Sequence, residues 1–315
     1  SGGAAVSVAC RMLPFADGSD LGGSLRNPTN FCNVVGLRPS VGRVPSWPSE
    51  SGWNSFAVDG PIARTVEDTA LMLSVLAGPD LRSPISLPES GAVFRKPLER
   101  NLKGIRIAWS ADLGGLPVDV RVTKTLEAQR EVFEDLGCIV EQGFPDFSDA
   151  DEIFKTFRAW FYEMNHGSLL PEHRDKIKET VVWNIESGIK LSGPELGRAV
   201  VKRTALFHRV RKFMQNYDFL ALPVSQVPPF PIEQEFVSEI NGVKMETYLD
   251  WMRSCYFISV TGQPAISVPC GFTSDGLPVG LQLVGKPRDD LGVLQLAYAF
   301  EKATGFYQQI PGVAQ

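Results

Sequence analysis

The spacing of apolar residues predicts an amphipathic helix directly after residue 64. In the stretch RTVEDTALMLSVLAGPD, Thr65 is suited to cap the helix, and Gly78-Pro79 is suited to end it. The apolar residues that share one face are Val66, Ala70, Leu73 and Ala77. A helix with one apolar face has to bury that face, so we expect it to pack on a sheet.

Two short apolar runs flank a second amphipathic segment. The run GIRIAWS predicts a buried strand, and CIVEQG predicts a second strand. Between them, VRVTKTLEAQREVFEDLGC predicts one helix with Gly137 at its C-terminus. Its inward residues are Val122, Leu126, Phe133 and Leu136. A strand, a helix and a strand with short connections predict a parallel βαβ unit.

The remaining pattern is mixed. The first sixty residues are rich in glycine, proline and serine, which predicts turns and short strands, whereas residues 150 to 215 are polar and predict a helical layer. Near the end, PAISVPCGFTSDGLPVGLQLVG predicts a hairpin that turns at Ser274-Asp275-Gly276, and a last helix should end at Gly305. The predicted class is therefore α/β, with one mixed, mostly parallel central sheet covered by helices.

Composition narrows the kind of partner. The chain has 315 residues, 43% of them hydrophobic and 21% charged, as in an ordinary globular protein. With 31 basic and 36 acidic residues the net charge is −5, which argues against a general nucleic-acid or membrane-surface binder. No apolar run approaches the roughly 20 residues needed to cross a bilayer, and the N-terminus lacks the basic region of a signal peptide.

Cysteine and histidine placement gives no metal site. The five cysteines are scattered without a CxxC pair, which favours reduced thiols and a cytoplasmic location. The three histidines all lie in the polar helical region, where surface or packing roles are the simpler interpretation. We expect neither a metal nor another cofactor.

A serine after two glycines is the main candidate for chemistry. In DGSDLGGSLRNPTNFC, the run Leu21-Gly22-Gly23-Ser24 can fold into a concave nest of backbone N–H groups around the Ser24 hydroxyl. Such donors stabilise the oxyanion that forms when a nucleophile attacks a carbonyl group. Asp20 and Arg26 flank the run and are suited to hold it by a salt bridge. By itself GGS indicates only a glycine turn, and no histidine lies nearby to activate the serine.

The surrounding residues carry a family resemblance. Residues 1 to 44 resemble the signature segment of the amidase signature family, which typically reads GGSSGG, an alanine-rich helix and then GSDxGGSIRxPAAFCGVVGLKPTxGRV. The register holds without a gap from Ser1 to Val44. Two downstream segments, DGPIARTVEDTALMLSVLAG and TGQPAISVPCGFTSDGLPVGLQLVG, also resemble family segments, whereas residues 145 to 215 and 232 to 258 diverge.

The resemblance implies a fold and a mechanism. It implies one amidase signature domain over residues 1-315, in which 145-258 form a divergent helical and substrate-side region. It further implies that Ser24 attacks an amide carbonyl to form an acyl-enzyme, and that the backbone N–H groups of Leu21, Gly22, Gly23 and Ser24 form the oxyanion hole. A second serine in a cis peptide and a neutral lysine would replace the usual histidine and aspartate.

The chain departs from the family pattern at its start. Ser1 aligns with the second serine of GGSSGG, so the bridging serine would lie one position earlier and the lysine further upstream. Lys96 and Lys103 come too late in family order to serve as that lysine. We expect that the N-terminal part of the domain is missing, with an upstream segment or a second chain supplying the base. On this view Ser1 supports the relay as a neighbour, and residues 1-315 alone are inactive.

Three functions follow from this interpretation. The first is a hydrolase that cleaves the C–N bond of a small-molecule amide; the second is an amidotransferase subunit that acts on glutamine with a charged tRNA complex; the third is an inactive fragment. No nucleic-acid or membrane contact is expected for the hydrolase, and the sequence leaves a homo-oligomer open.

An apolar acyl pocket is a further hypothesis, in which aromatic residues face the substrate. Its candidates are Trp160, Phe161, Tyr162, Trp183, Trp251 and Tyr256. A separate hypothesis is that Tyr256 or Thr261 approaches the substrate, because both precede a strand that resembles the family.

Overall fold

The computed structural model describes residues 1–314, which cluster into two compact units. The first unit comprises residues 1–145 together with the chain from residue 211 onward, and the second comprises residues 146–210. The expectation of one domain over residues 1-315 stays a prediction. Within residues 1–314, no helix has both the length and the apolar character of a membrane span.

The first unit is built on an eight-stranded sheet whose strand order is β1-β3-β2-β9-β10-β6-β4-β5, and a small hairpin, β7-β8, lies apart from it. The strands are β1 (Phe15–Asp20), β2 (Val35–Arg38), β3 (Val58–Ala63), β4 (Arg106–Trp109), β5 (Ile139–Gln142), β6 (Phe219–Pro223), β7 (Glu239–Ile240), β8 (Val243–Lys244), β9 (Ala265–Phe272) and β10 (Pro278–Val284).

Helices cover the sheet of the first unit and make up most of the second. They are α1 (Gly2–Ala9), α2 (Asn27–Phe31), α3 (Val66–Leu76), α4 (Val120–Glu127), α5 (Arg130–Asp135), α6 (Ala150–His166), α7 (Leu170–His173), α8 (Glu179–Ile189), α9 (Gly193–Phe213), α10 (Arg253–Thr261) and α11 (Asp290–Thr304). The α/β class and the mixed, helix-covered sheet are thus confirmed.

The parallel share of this sheet is smaller than the sequence pattern predicts. Strand β4 pairs in parallel with β5 and with β6, whereas the other five neighbouring pairs are antiparallel. Five of the eight strands nevertheless run in the same direction, and the other three run opposite to them. The five are β3, β9, β6, β4 and β5. Parallel neighbours need a long crossover connection. The sequence shows one such crossover clearly, the predicted βαβ unit, and the structure places it at β4-α4-α5-β5.

Most predicted elements occur where the pattern places them. Thr65 caps α3, with its hydroxyl accepting from the Asp68 N–H at 3.1 Å, and the hairpin β9-β10 turns at residues 273–277. The single helix predicted between β4 and β5 is wrong in one respect, because it breaks at residues 128 and 129 into α4 and α5. The break leaves both apolar faces on the core, with Leu126 and Phe133 fully buried.

The main core lies between the sheet and the helices α3, α5 and α11. Phe133 of α5 stacks on Phe300 of α11 with ring centroids 5.0 Å apart, and Trp109 of β4 meets the Phe133 ring edge-on at 6.0 Å. The buried Trp109 indole N–H donates to Glu127 at 2.8 Å, so its polar atom is satisfied. The core is therefore an apolar layer beneath the sheet.

The second unit is helical, as the sequence predicts for residues 150 to 215. Helix α6 packs against α8, and Arg158 of α6 joins them by donating to Asn184 at 3.1 Å. The same guanidinium lies over the Tyr162 ring, 4.4 Å from its centroid. Aromatic residues of α6 thus take part in the internal packing of this unit.

Glu301 of α11 is a buried carboxyl group at the start of α3. One of its oxygens accepts from the Val66 N–H at 2.8 Å, and the other has no hydrogen-bond partner within residues 1–314. Burial raises the pKa of Glu301 to about 7, and the Val66 N–H offsets only part of that rise. The protonated side chain is therefore favoured in the folded protein.

This burial makes stability depend on pH. The pKa of Glu301 is 4.5 for the ordinary side chain and about 7 in the fold, so the folded state holds the proton more tightly. Its stabilising contribution is complete below pH 4.5 and is lost as the pH rises through 7. Between pH 5.5 and 8, the unfolding free energy of wild type should fall by about 1–3 kcal/mol more than that of Glu301→Gln.

Urea denaturation at the two pH values measures the difference. Glu141→Gln, which removes an exposed carboxylate from β5, serves as the control and should retain the pH slope of wild type. Equal slopes in wild type and Glu301→Gln would contradict the assignment.

Candidate active site

The predicted nucleophile lies in a turn between β1 and α2. Ser24 is partly exposed, whereas Gly23 before it and Leu25 after it are buried. The carbonyl oxygen of Leu25 lies 2.1 Å from the position that a Cβ on Gly36 would occupy, so only glycine lets β2 approach this closely. The turn is thereby held directly on the sheet.

Gly23 has a conformation that its neighbours make obligatory. Its φ is +117°, and a Cβ there would lie 2.6 Å from both Asn27 Nδ2 and Cys255 Cβ. Left-handed backbone of this kind favours glycine, and the occupied space excludes a larger residue. The second glycine of the GGS run is therefore required by both backbone conformation and packing.

Asp20 anchors the turn from below. Its fully buried carboxylate accepts from the Gly23 N–H at 2.8 Å and from the Leu25 N–H at 3.2 Å. The guanidinium of Arg26 donates to both carboxylate oxygens at 3.0 Å, and that of Arg38 donates at 3.1 Å. The structure thus brings Asp20 and Arg26 together as expected, and it adds Arg38, which sequence reasoning did not assign to the site.

The charges in this cluster do not cancel. Burial alone would raise the pKa of Asp20, but the guanidinium groups of Arg26 and Arg38 outweigh it and hold that pKa far below its ordinary value. Asp20 is therefore ionised at neutral pH. One carboxylate facing two buried guanidinium groups leaves an excess positive charge beneath the turn, which is the sign that favours an oxyanion above it.

Arg26 also joins the turn to distant segments. Its guanidinium donates to the Cys255 carbonyl oxygen at 3.0 Å and to the Ser259 hydroxyl at 2.7 Å, both on α10, and it contacts Gln282 of β10. Arg38 reaches the carbonyl oxygen of Phe56 at 2.9 Å. A buried arginine with all these acceptors fixes the turn relative to the sheet and to α10.

Four N–H groups were expected to form the oxyanion hole, and they are not equivalent. The Gly23 N–H already donates to Asp20. Those of Leu21, Gly22 and Ser24 have no acceptor within residues 1–314. These three remain available for an oxyanion, whereas Gly23 contributes by shaping the turn.

Ser1 lies next to Ser24, as the family alignment implies. Its hydroxyl donates to the Ser19 carbonyl oxygen and accepts from the Ser19 N–H, both at 3.1 Å, and lies 3.5 Å from Ser24 Oγ. The backbone nitrogen of Ser1 donates to Ser24 Oγ at 2.5 Å. In the described part of the chain, no lysine or histidine side chain hydrogen-bonds to either serine.

The aromatic candidates are divided between the two units. Trp251 is mostly buried, stacking on Phe31 at 5.9 Å and meeting Phe230 edge-on at 5.4 Å, while Tyr256 is fully buried against Phe257. The other four lie in the second unit, where Trp183 is 42% exposed. The Thr261 hydroxyl donates to a carbonyl oxygen of its own helix. Packing explains Trp251, Tyr256 and Thr261 without a substrate.

Within residues 1–314, no group of three or more His, Cys, Asp and Glu side chains has an arrangement that could hold a metal ion.

Comparisons with known proteins agree with this geometry. The sequence model of the family described as Amidase matches residues 1–294, which include every residue of the site described above. The chain belongs to the amidase signature family. An acylamidase from Rhodococcus erythropolis is 34% identical over 304 residues, covering 95% of this chain and 63% of that protein.

Similar proteins of the amidase signature family include both an amidotransferase subunit and an acylamidase. The A subunit of the glutamyl-tRNA(Gln) amidotransferase from Thermodesulfovibrio yellowstonii is 32% identical over 338 residues, with 99% of this chain and 68% of that protein covered. The solved structure of a bacterial aryl acylamidase of this family superposes with a TM-score of 0.87 at 29% identity, covering 98% of this chain and 66% of that one. The chain thus spans about two thirds of the length of these relatives.

Proposed function

We propose that this member of the amidase signature family hydrolyses the C–N bond of a small-molecule carboxylic amide through an acyl-enzyme on Ser24. The observation that carries the proposal is a partly exposed serine hydroxyl beside three N–H groups without acceptors in the described part of the chain, in a turn fixed by Asp20. This arrangement supplies a nucleophile and an oxyanion hole together, which acyl transfer requires.

The reaction follows from those groups. Ser24 Oγ attacks the carbonyl carbon and gives up its proton, and the carbonyl oxygen becomes an oxyanion held by the N–H groups of Leu21, Gly22 and Ser24. The C–N bond then breaks as the leaving amine takes a proton. Water attacks the ester that remains on Ser24, releasing the carboxylic acid and restoring the hydroxyl.

The proton acceptor is the Ser–cisSer–Lys relay that the family resemblance implies. A lysine can act as a base only when burial keeps it neutral, so the relay needs a partly desolvated, uncharged lysine amine close to the Ser24 hydroxyl. Ser1, fixed by Ser19 and adjacent to Ser24, is suited to orient that relay.

A second function has its own support. Several relatives that are 31–33% identical over 99% of this chain are amidotransferase A subunits. An enzyme of that kind would use the same Ser24 chemistry on glutamine and pass ammonia to a partner chain. The hydrolase is preferred because the acylamidase match has the higher identity, and because the aryl acylamidase superposes well at 29% identity.

Serine labelling combined with product analysis tests the two functions. We expect a fluorophosphonate probe to modify Ser24 of the full-length natural polypeptide, and anilides to be hydrolysed without a partner. Ammonia release from glutamine that needs a co-purified partner would instead favour the amidotransferase. An unlabelled Ser24 together with no amide hydrolysis would mean an inactive protein and would overturn the proposal.

We also propose a cytoplasmic location and a small-molecule amide as the main partner. All five cysteines are unpaired thiols in the fold, which agrees with a reducing compartment.

A further inference from the structure

An arginine at the end of β2 holds the peptide group that leads into the nucleophile turn. Arg38 is fully buried, and its Nη1 donates to the carbonyl oxygen of Asp20, the last residue of β1. The same nitrogen donates to the Asp20 carboxylate at 3.1 Å. Strand β3 lies between β1 and β2, so the arginine joins two strand ends that do not pair with each other. A charged donor from a distant segment thus fixes the Asp20 carbonyl group.

The N–H of the same peptide group is one of the proposed oxyanion donors. The Asp20 C=O and the Leu21 N–H belong to one planar trans peptide, in which they point in opposite directions. The carbonyl oxygen faces a fully buried guanidinium, so the N–H faces the other way. Leu21, Gly22 and Ser24 are the partly exposed residues of this turn, and the Leu21 N–H has no acceptor within residues 1–314. Fixing the carbonyl oxygen therefore also fixes the direction of a free donor.

The charge of Arg38 strengthens this donor. A hydrogen bond to the carbonyl oxygen polarises the conjugated peptide, so the N–H at its other end becomes a better donor. The polarisation is larger for a guanidinium than for a neutral donor, because charge-assisted hydrogen bonds are the stronger ones. Burial lowers the pKa of Arg38 to about 10 while Asp20 opposes that fall, so the group carries its charge at neutral pH.

The position of the guanidinium is itself fixed from two further sides. Its Nη2 donates to the carbonyl oxygens of Phe56 at 2.9 Å and Ser259 at 3.3 Å. The forked shape of arginine allows it to bind these acceptors and Asp20 at once, whereas lysine is a single point charge. The quoted signature pattern has lysine at this position, in GLKPT, where this chain reads GLRPS. The forked contact is therefore a property of this chain.

We propose that Arg38 is a positioning residue for the oxyanion hole, acting through the Asp20–Leu21 peptide group to direct and strengthen the Leu21 N–H. The inference rests on the proposed function, in which Ser24 is the nucleophile. Arg38 itself does not bind the substrate. Its loss should consequently slow the chemical step and leave substrate binding nearly unchanged.

Replacing Arg38 with methionine tests the proposal. We compare wild type and Arg38→Met, as full-length natural polypeptides, by the rate at which a fluorophosphonate labels Ser24, since attack on phosphorus also places a negative oxygen in the hole. Labelling should slow about 10- to 100-fold, less than the loss of an oxyanion donor itself causes. On the p-nitroanilide of a short carboxylic acid, kcat should fall by a similar factor, while KM stays within about threefold.

Two further variants separate positioning from general damage to the fold. Arg38→Lys keeps a charged donor and should label within about fivefold of wild type. Arg43 is also a buried arginine, but its carboxylate partners Glu89 and Asp290 lie outside the turn. Arg43→Met should therefore lose stability and keep the labelling rate of wild type. Should Arg38→Met fail to fold, as judged by its thermal melting, Arg38→Gln, with a shorter and uncharged side chain, replaces it.

Failure of the inference differs from failure of the proposed function. Labelling of Arg38→Met at the wild-type rate overturns the inference, as does a rise in KM without a fall in kcat. So does an Arg38→Lys protein as slow as Arg38→Met, or an equal slowing in Arg43→Met. In each of these cases Ser24 is still the nucleophile. Wild type that neither takes up the probe on Ser24 nor hydrolyses the anilide overturns the proposed function itself.

Discussion

Replacing Ser24 with alanine should lower kcat/KM for amide hydrolysis by about 10³- to 10⁶-fold, because the only proposed nucleophile is removed. The fold should persist, since the Ser24 hydroxyl supports no buried group and its neighbours Gly23 and Leu25 are held by Asp20 through backbone N–H groups. Wild-type enzyme quenched during turnover should carry the mass of one acyl group, and Ser24→Ala should carry none.

A serine outside the site provides the control. The hydroxyl of Ser7 donates to the Gly3 carbonyl oxygen within α1, so Ser7→Ala removes a comparable group without touching the turn. It should hydrolyse amides at the wild-type rate. Activity of Ser24→Ala within about tenfold of wild type would require another nucleophile, because loss of a group that forms the covalent bond has a far larger effect.

Asp20→Asn should lower the free energy of unfolding by about 3–5 kcal/mol, because it leaves two buried guanidinium groups without their carboxylate. The variant keeps the shape of the side chain, so the loss reports charge. It also weakens the hydrogen bonds that the Gly23 and Leu25 N–H groups donate to residue 20, so the rate of amide hydrolysis should fall as well. Urea denaturation at neutral pH measures the stability change.

The surface pair of Asp80 and Arg82 is a matched control. Its carboxylate and guanidinium are 2.7 Å apart, with the arginine 61% exposed, so Asp80→Asn should cost no more than about 1 kcal/mol. If Asp20→Asn is too unstable to purify, adding Arg38→Met should recover part of the loss, since it removes one of the two stranded charges. An Asp20→Asn protein as stable as Asp80→Asn would contradict the buried-charge account.

Low pH should destabilise the fold by protonating the same carboxyl group, that of Asp20. The pKa of Asp20 is depressed in the fold, so its stabilising contribution is present above its ordinary value of 3.8 and is lost as the pH falls below that value. This direction is opposite to that of Glu301, whose contribution is lost as the pH rises. Stability is therefore expected to be greatest between the two transitions.

Local sequence determined the elements whose signals lie within a few residues. Thr65 and Gly305 mark the ends of two helices because capping involves only neighbouring backbone groups, and the turn before β10 follows from Gly276 in the same way. The signature segment likewise indicated Ser24, Asp20 and Arg26, because these residues lie within seven positions along the chain. Their proximity is set by one turn.

The tertiary structure alone decided the long-range arrangement. Strand pairing depends on which segments meet in space, so the antiparallel share of the sheet followed from contacts that no periodicity records. Arg38 joins Asp20 from 18 residues away, and Arg26 reaches α10 from 229 residues away. A buried carboxylate must be satisfied by whichever donors the fold brings to it, and their identity is set by packing.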